Sequence, residues 1–447
     1  LLQHLKVTVP PGTSGSSDLK VTSAIGSAIL QNGIHYLQGV KDISSTDTFT
    51  ALAYDQQRNR LYLSAGNHVD VIDLATATLL SPISLPSLNG GLQAAGLVIT
   101  PDGKSLLVAN HADRSIAIID PDNPSKQKAV NMVLTTPPVG SQCAPGPGQM
   151  VATATGKAYA SILDSLTFGC SNRGIIELDL ATQTATVRTD GALFALVASA
   201  PLLGGTRSGK AVALDDFNNI YVWDAATDTW ASRPLDNNSN LVDIALAGDG
   251  NLYALNTFGN ATQERYIAVD SALNLTESLL QPEFAETTGF RVPGIQLHDT
   301  GSLLYAPKQN GIDIYDVHHG SQRERVLLAE TLSATSSQMA IDETGLRIFL
   351  LTASGLTVVQ LDSVPLSLGS VSPSMGPSSG GVAVSLRGSG FQAGSKVMFG
   401  GTPVCVTFVD PDTIQLVSPQ TSKGPLRLII QNPDGQAYTL DDGYLAN

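Results

Sequence analysis

Two histidines, His68 and His111, each directly follow an asparagine, at matching points of two similar stretches of chain. Imidazole nitrogens on neighbouring units of a repeat can hold a metal ion or an anionic ligand. The same Asn-His pair is also good turn chemistry, which the descent of one unit from another would copy without any ligand. A further pair, His318-His319, is expected on a solvated turn. None of these has the His-x-x-x-His spacing of a helical metal site, or a glutamate at ligand spacing.

The carboxylates divide in the same way. Asp73, Asp120, Asp179, Asp224, Asp270 and Asp316 recur at one position of the repeat, where capping of free backbone N–H groups is the expected role. Asp120-Pro-Asp-Asn123 and Asp215-Asp216 resemble calcium ligands only loosely, because the spaced Asp/Asn loop ending in Glu is missing. No cofactor is therefore expected, with Ca²⁺ the one ion left open. Of three cysteines, Cys143 and Cys170 fall on one side of one unit. A disulfide there would stabilise by on the order of 3 kcal/mol and imply an oxidising compartment. Cys405 is expected as a small core residue. Trp223 and Trp230 flank one turn, where covering a sheet edge is commoner than stacking on a sugar. Asn237, Asn260 and Asn274 head Asn-x-Ser/Thr sequons, which require only accessible loops. Gly-x-Ser-x-Gly, P-loop, dinucleotide and Cys-x-x-Cys-His patterns are absent from the sequence.

What must position these residues follows from composition and repeat. The 447 residues are 42% hydrophobic and 14% charged, enough apolar material for a sizeable core. A formal charge of −14 argues against nucleic acid and anionic membrane surfaces as partners. The longest apolar stretch, 191–203, is broken by Pro201 and reads as a strand rather than a membrane span. The sequence opens without a basic-then-apolar leader, so a leader has been removed or the chain is an excerpt.

One pattern recurs: an apolar strand, a turn rich in Asp, Gly and Asn, a second strand often carrying Leu-Tyr, a loop, and a third strand ending in Asp. It appears at 51–63 with 69–73, and at 97–108 with 116–120. Weaker copies lead to 175–179 and 220–224, and later ones run 243–270, 295–316 and 339–360. The spacing of roughly 45 residues is that of a four-stranded propeller blade. Period-2 alternation and β-branched residues make these strands, not helices.

Residues 39–366 thus resemble the YVTN-type and related Asp-Gly-turn β-propellers of secreted and surface proteins, Val108-Ala-Asn110 being a partial match to the eponymous tetrapeptide. The glycine-rich run 371–381, then 384–391 and 397–401, resembles an IPT/TIG immunoglobulin-like sandwich over 367–447. Pro10, Gly15, Leu19, Val21 and Gly26 align without a gap on Pro419, Gly424, Leu428, Ile430 and Gly435. After a one-residue shift, Asn32-Gly33-Ile34 falls on Asp442-Gly443-Tyr444. Residues 1–38 therefore resemble the last half of another such sandwich, to be completed by a longer chain or by a partner. The expected fold is all-β: a seven-bladed β-propeller plus a C-terminal immunoglobulin-like sandwich.

In such a blade the loops between strands two and three share a face with the connections between blades. These are the longer ones here, at 110–115, 162–172, 256–265 and 308–311, with 133–148 and 281–293 between blades. The other face carries tight turns such as Pro101-Asp-Gly103, apart from an insertion at 200–209. Long loops on a rigid scaffold are where binding residues gather. The ligand-binding candidates are His68, Asn110, His111, Asp164, Asn256, Lys308 and Asn310. The resemblance implies a non-enzymatic, extracellular, cell-surface or periplasmic protein whose partners are other modules, copies of itself or glycans. An enzyme acting on polysaccharide or peptide at the propeller mouth, and a self-assembling layer or filament subunit, are the alternatives.

Overall fold

The structure is a computed structural model. It describes residues 15–37, 39–133, 145–163, 175–188, 203–205, 210–214, 219–224, 227, 229–234, 240–247, 252–258, 264–270, 275–279, 294–308, 310–330, 332, 338–352 and 354–447. Asp164, Cys143 and Cys170 lie outside these residues. All regular structure among the described residues is strand.

Successive four-stranded antiparallel sheets follow the repeat. The opening sheet is Leu52–Asp55, Arg60–Ala65, His68–Asp73 and Thr78–Leu79, with Ile83–Ser84 also on the third strand. The second is Ala94–Ile99, Leu106–Asn110, Ser115–Ile119 and Gln127–Val133. The third is Gly146–Ala152, Lys157–Leu163, Ile175–Asp179 and Thr184–Arg188. Its last strand pairs in parallel with the outer strand of the second at Met132 and Val133, so that the two share one eight-stranded sheet. The fourth, fifth and sixth begin with Leu203–Gly205, Asn240–Leu246 and Gln296–Leu297. The closing sheet is Met339–Ile341, Arg347–Thr352 and Gly355–Gln360, and its outer strand is Gly39–Ser44, from before the opening sheet. The first strands neighbour one another in this order, and Met339–Ile341 returns to Leu52–Asp55. A closed ring of sheets around a channel is a β-propeller.

Burial follows position in the ring. Second strands such as Leu106–Asn110 are covered on both faces, so they read as unbroken apolar runs. The outer strand Gln127–Val133 alternates, because only one of its faces is covered. Core clusters sit between adjacent sheets: Tyr62, Val69 and Val71 pack with Leu97, Leu106 and Val108. Leu61, Leu63 and Ile72 pack with Phe349 and Leu351 across the seam.

The Asp-Gly turns repeat one geometry. Gly103 donates its N–H to Thr100 O at 2.8 Å, Gly301 to His298 O at 2.8 Å and Gly345 to Asp342 O at 3.1 Å. Their φ values of 69°, 73° and 71° lie where a side chain is strained. The recurring aspartates cap as expected: Asp73 accepts Thr76 N–H, Asp179 accepts Thr182 N–H and Asp316 accepts His319 N–H, at 2.9, 2.8 and 2.7 Å.

The sandwich stacks Ser367–Ser372, Ala383–Ser389, Thr413–Val417 and Val406–Asp410 on a second sheet containing Lys396–Phe399, Gly424–Gln431 and Ala437–Ala446. Leu368, Leu386, Phe399, Ile414, Leu428 and Ile430 fill the space between. Cys405 corrects an expectation: it is exposed, while Val404 and Val406 on either side pack on the core. It is the link between Thr402–Val404 of one sheet and Val406–Asp410 of the other, so the core lies to either side of it and not beneath it. The sandwich docks on the sixth sheet's tight-turn face. Ser367 Oγ donates to Asp316 and to Ser302 O, and Arg323 donates to Leu366 O at 2.9 Å. His318 is consequently part-buried, while His319 stays exposed as expected. His318 meets Gly369 O at 2.9 Å, and the His319 ring lies edge-on to Tyr438 at 5.2 Å.

Ahead of the ring, Gly15–Ser23 pairs with Gly26–Tyr36 as a two-stranded hairpin. Leu37 packs on the core between the sixth and closing sheets, and His35 pairs with Asp362.

Candidate functional site

The channel is lined by the first strands, a cavity of about 640 Å³. Thr50, Gln149, Asp243 and Gln338 stand near the ends of these strands that lie toward the longer loops. Thr50, Gln338 and Asp243 each have a tertiary reason to be there. Thr50 Oγ1 lies 2.8 Å from Ser64 Oγ and donates to Ala94 O at 3.1 Å, tying the opening sheet to the second. Gln338 Oε1 accepts Leu52 N–H at 3.1 Å across the seam. Asp243 accepts the N–H groups of Ile244 and Ile295, both at 2.8 Å, and that of Gly294. Burial pushes its carboxyl up to about 6, against the pull of those amides. Asp243, Gln338 and Thr50 were not singled out in the sequence, where they look like ordinary polar residues at strand starts.

On the long-loop face, Asn110 is buried rather than displayed. Its Oδ1 accepts Gln93 N–H at 2.8 Å and its Nδ2 donates to Gly91 O at 3.3 Å. His111 follows it and lies against the third sheet, where a Cβ on Gly146 would come within 2.5 Å of His111 Nδ1. Asp113, in the same turn, is buried and anchors the loop at 87–91. Burial raises its carboxyl, but hydrogen bonds from Ser115, Ser87, Leu88 and Asn89 outweigh this and hold it below the usual range. Lys308 ends the strand Leu303–Lys308, and Asn310 is exposed in the turn after it. Asn256 belongs to the strand Leu252–Phe258, opposite Asp243 and Tyr266, rather than to a loop. Long apolar alternation extends this strand past the expected turn.

His68 and His111 thus occupy different settings, and the sequence equivalence does not make one site of them. His68 opens the strand His68–Asp73. Residues two apart share a sheet face, so His68, Asp70 and Ile72 all point toward the seam. His68 Nε2 lies 3.1 Å from Asp70 Oδ1 and 3.8 Å from Asp47 Oδ2. Nδ1 faces Asn67 Oδ1 at 2.8 Å. Asp70 is 2% exposed. Its pKa is raised by burial and by Asp47, and lowered by His68. Asp47 was invisible in the sequence because it sits outside the repeat, in the segment 45–51 that joins the outer strand of the closing sheet to the opening sheet.

The loose calcium resemblance at Asp120-Pro-Asp-Asn123 resolves otherwise. Asp120 Oδ1 accepts the N–H groups of Asp122 and Asn123, at 2.9 and 3.1 Å. Asp122 receives two hydrogen bonds from Arg58, at 2.7 and 2.5 Å. Asp215-Asp216 lies outside the described residues.

Comparison with known proteins agrees with these domains. No curated protein matches the chain in sequence. Hydrazine synthase of Kuenenia stuttgartiensis superposes with a TM-score of 0.54 at 16% identity, over 73% of this chain and 99% of that one. The β-propeller domain of Cps50 (Swd1) from Myceliophteria thermophila superposes with a TM-score of 0.52 at 12% identity, over 72% and 99%. At such identities the likeness is one of fold. Residues 366–444 match the family model of the IPT/TIG domain, so the chain joins a β-propeller to an IPT/TIG sandwich.

Proposed function

We propose that this chain is an interaction protein of the cell surface or extracellular space. In this reading the ring is a seven-bladed propeller of the YVTN type and acts as a rigid display platform. The sandwich is a modular spacer, and residues 1–38 are the last part of a further IPT/TIG-like unit. The carrying observation is an asymmetry of the ring. The sandwich occupies the tight-turn face at the sixth sheet, through Asp316, His318 and Arg323. The opposite face keeps loops anchored from beneath by Asn110 and Asp113. Anchored loops on a rigid scaffold bind with little ordering cost. The partners are other protein modules, copies of this chain first among them, with glycans next.

Sedimentation velocity of the full chain tests this. Concentration-dependent association that is lost in Asn310→Arg, and kept in Lys104→Glu on the tight-turn face, supports the platform reading. Association lost equally in both variants, or none together with no binding to a glycan array, sinks it.

One observation favours a second reading. A buried carboxyl near 6 in a channel, as at Asp243, is the kind of group an enzyme uses. Turnover of a polysaccharide or cyclic peptide that disappears in Asp243→Asn would replace the platform by a hydrolase or lyase.

A further inference from the structure

We propose that Asp47, His68 and Asp70 bind one divalent transition-metal ion of the zinc class, which clasps the seam where the ring closes. The three residues each offer one ligand atom, and these atoms lie within 4.8 Å of one another. Metal–nitrogen and metal–oxygen bonds of about 2.0–2.2 Å place neighbouring ligand atoms ~3.3 Å apart in a tetrahedral site. The observed 3.1 and 3.8 Å separations from His68 Nε2 need little adjustment to reach that spacing.

The hydrogen bonding points the same way. Asn67 Oδ1 can only accept from Nδ1 of His68, so a neutral His68 turns its Nε2 lone pair toward two carboxylates. Acceptors facing one another repel unless a cation lies among them. A carbonyl on the far imidazole nitrogen is also how ligating histidines are oriented. An independent observation is Asp70 Oδ2, a buried carboxylate oxygen that accepts no hydrogen bond, on a side chain only 3% exposed. Buried charges persist when paired or when they coordinate a metal.

The donor set selects the ion. One imidazole with two carboxylates suits zinc and its neighbours, whereas calcium takes about six to eight oxygen ligands. The placement gives the ion a job. His68 and Asp70 belong to the opening sheet. Asp47 lies in the segment leaving Gly39–Ser44, the outer strand of the closing sheet. A bound ion therefore ties the two ends of the ring together on the long-loop face.

The test uses the full chain, stripped with EDTA and titrated with zinc chloride near neutral pH by calorimetry, with unfolding followed by scanning calorimetry. One zinc per chain is expected, with a midpoint that rises on loading. Binding should weaken more than about 100-fold in His68→Ala and in Asp47→Asn, and about 10- to 100-fold in Asn67→Ala. Asn310→Ala should bind as the parent does, and excess calcium should not displace the zinc. Asp47 is half-exposed, so Asp47→Asn is expected to keep the parent circular dichroism spectrum and serves if His68→Ala fails to fold. A protonated His68 in place of a metal predicts no zinc uptake. That result, uptake unchanged in Asp47→Asn and Asn67→Ala, or displacement by calcium would each overturn the proposal.

Discussion

Two hairpins in this chain share a backbone and differ in everything around it. Gly15–Ser23 with Gly26–Tyr36 repeats the register of Gly424–Gln431 with Ala437–Ala446. Leu19 faces Leu30 as Leu428 faces Leu440, and Val21 faces Ala28 as Ile430 faces Tyr438. The register shifts after Ser17 in one and after Leu426 in the other, the same point of the strand. Gly15 and Gly424 open the strands with φ of 113° and 117°. A Cβ on Gly33 would touch Leu19 and Leu30, and one on Gly443 would touch Leu428 and Leu440. Yet Leu428 and Ile430 are 0% exposed, while Val21 is 44% and Leu30 61% exposed. The difference teaches that pairing, bulge and glycine placement are local properties of the hairpin. Burial is supplied by the sheet stacked on it and the strands added to its edges, which the first hairpin lacks among the described residues.

The largest expected contrast is Leu428→Ala against Leu19→Ala. Truncation in the filled core should cost about 2–5 kcal/mol, and at the open face less than about 0.5 kcal/mol. Denaturant titration with hydrogen exchange on the two hairpins measures both. Equal costs would mean that Leu19 is covered in solution.

Gly443→Ala against Gly33→Ala should differ in the same direction but less. The added methyl would lie about 3.0 Å from a leucine in either case. Leu428 is locked, so the overpacking cost there is about 1–3 kcal/mol. Leu19 is free to turn away, and the cost at Gly33 should be small. Equal scanning-calorimetry shifts would break the comparison.

The third contrast is in pH. Burial beside the ring, with Asp410 adding to it, pushes Asp412 up to about 7, and its carboxylate lies 3.7 Å from buried His298. Because the folded pKa lies above the unfolded one, the folded state binds the extra proton. Stability is then fully present below about 4 and falls as pH rises to about 7. Asp412→Asn should flatten that fall in the sandwich transition. A slope unchanged in this variant would assign it elsewhere. The smallest effect belongs to the exposed Arg427–Asp441 pair, where Asp441→Asn should cost less than about 1 kcal/mol by the same titration.

Much of the architecture could be read from the sequence, for a stated reason. Strand alternation, Asp-Gly turns and capping aspartates such as Asp73 and Asp179 depend on neighbours a few residues away. So does the gapless alignment that paired Gly15 with Gly424. The site was less legible. His68 was visible, but its partner Asp47 lies outside the repeat, and Asn110, chosen for display, is an internal brace. His318 was expected in water and lies part-buried against the sandwich instead, while His319 stays exposed at its edge. Cys405 was expected in the core and faces out.

By itself, the order of residues determined which segments are strands, where they turn and which stretches are copies of one another, because those properties are local. Tertiary structure alone decided which copy is buried, which face of the ring the sandwich covers, and that Asp47 and His68 meet. Each of these depends on contacts between residues far apart in the chain, and the same local pattern is compatible with several such arrangements.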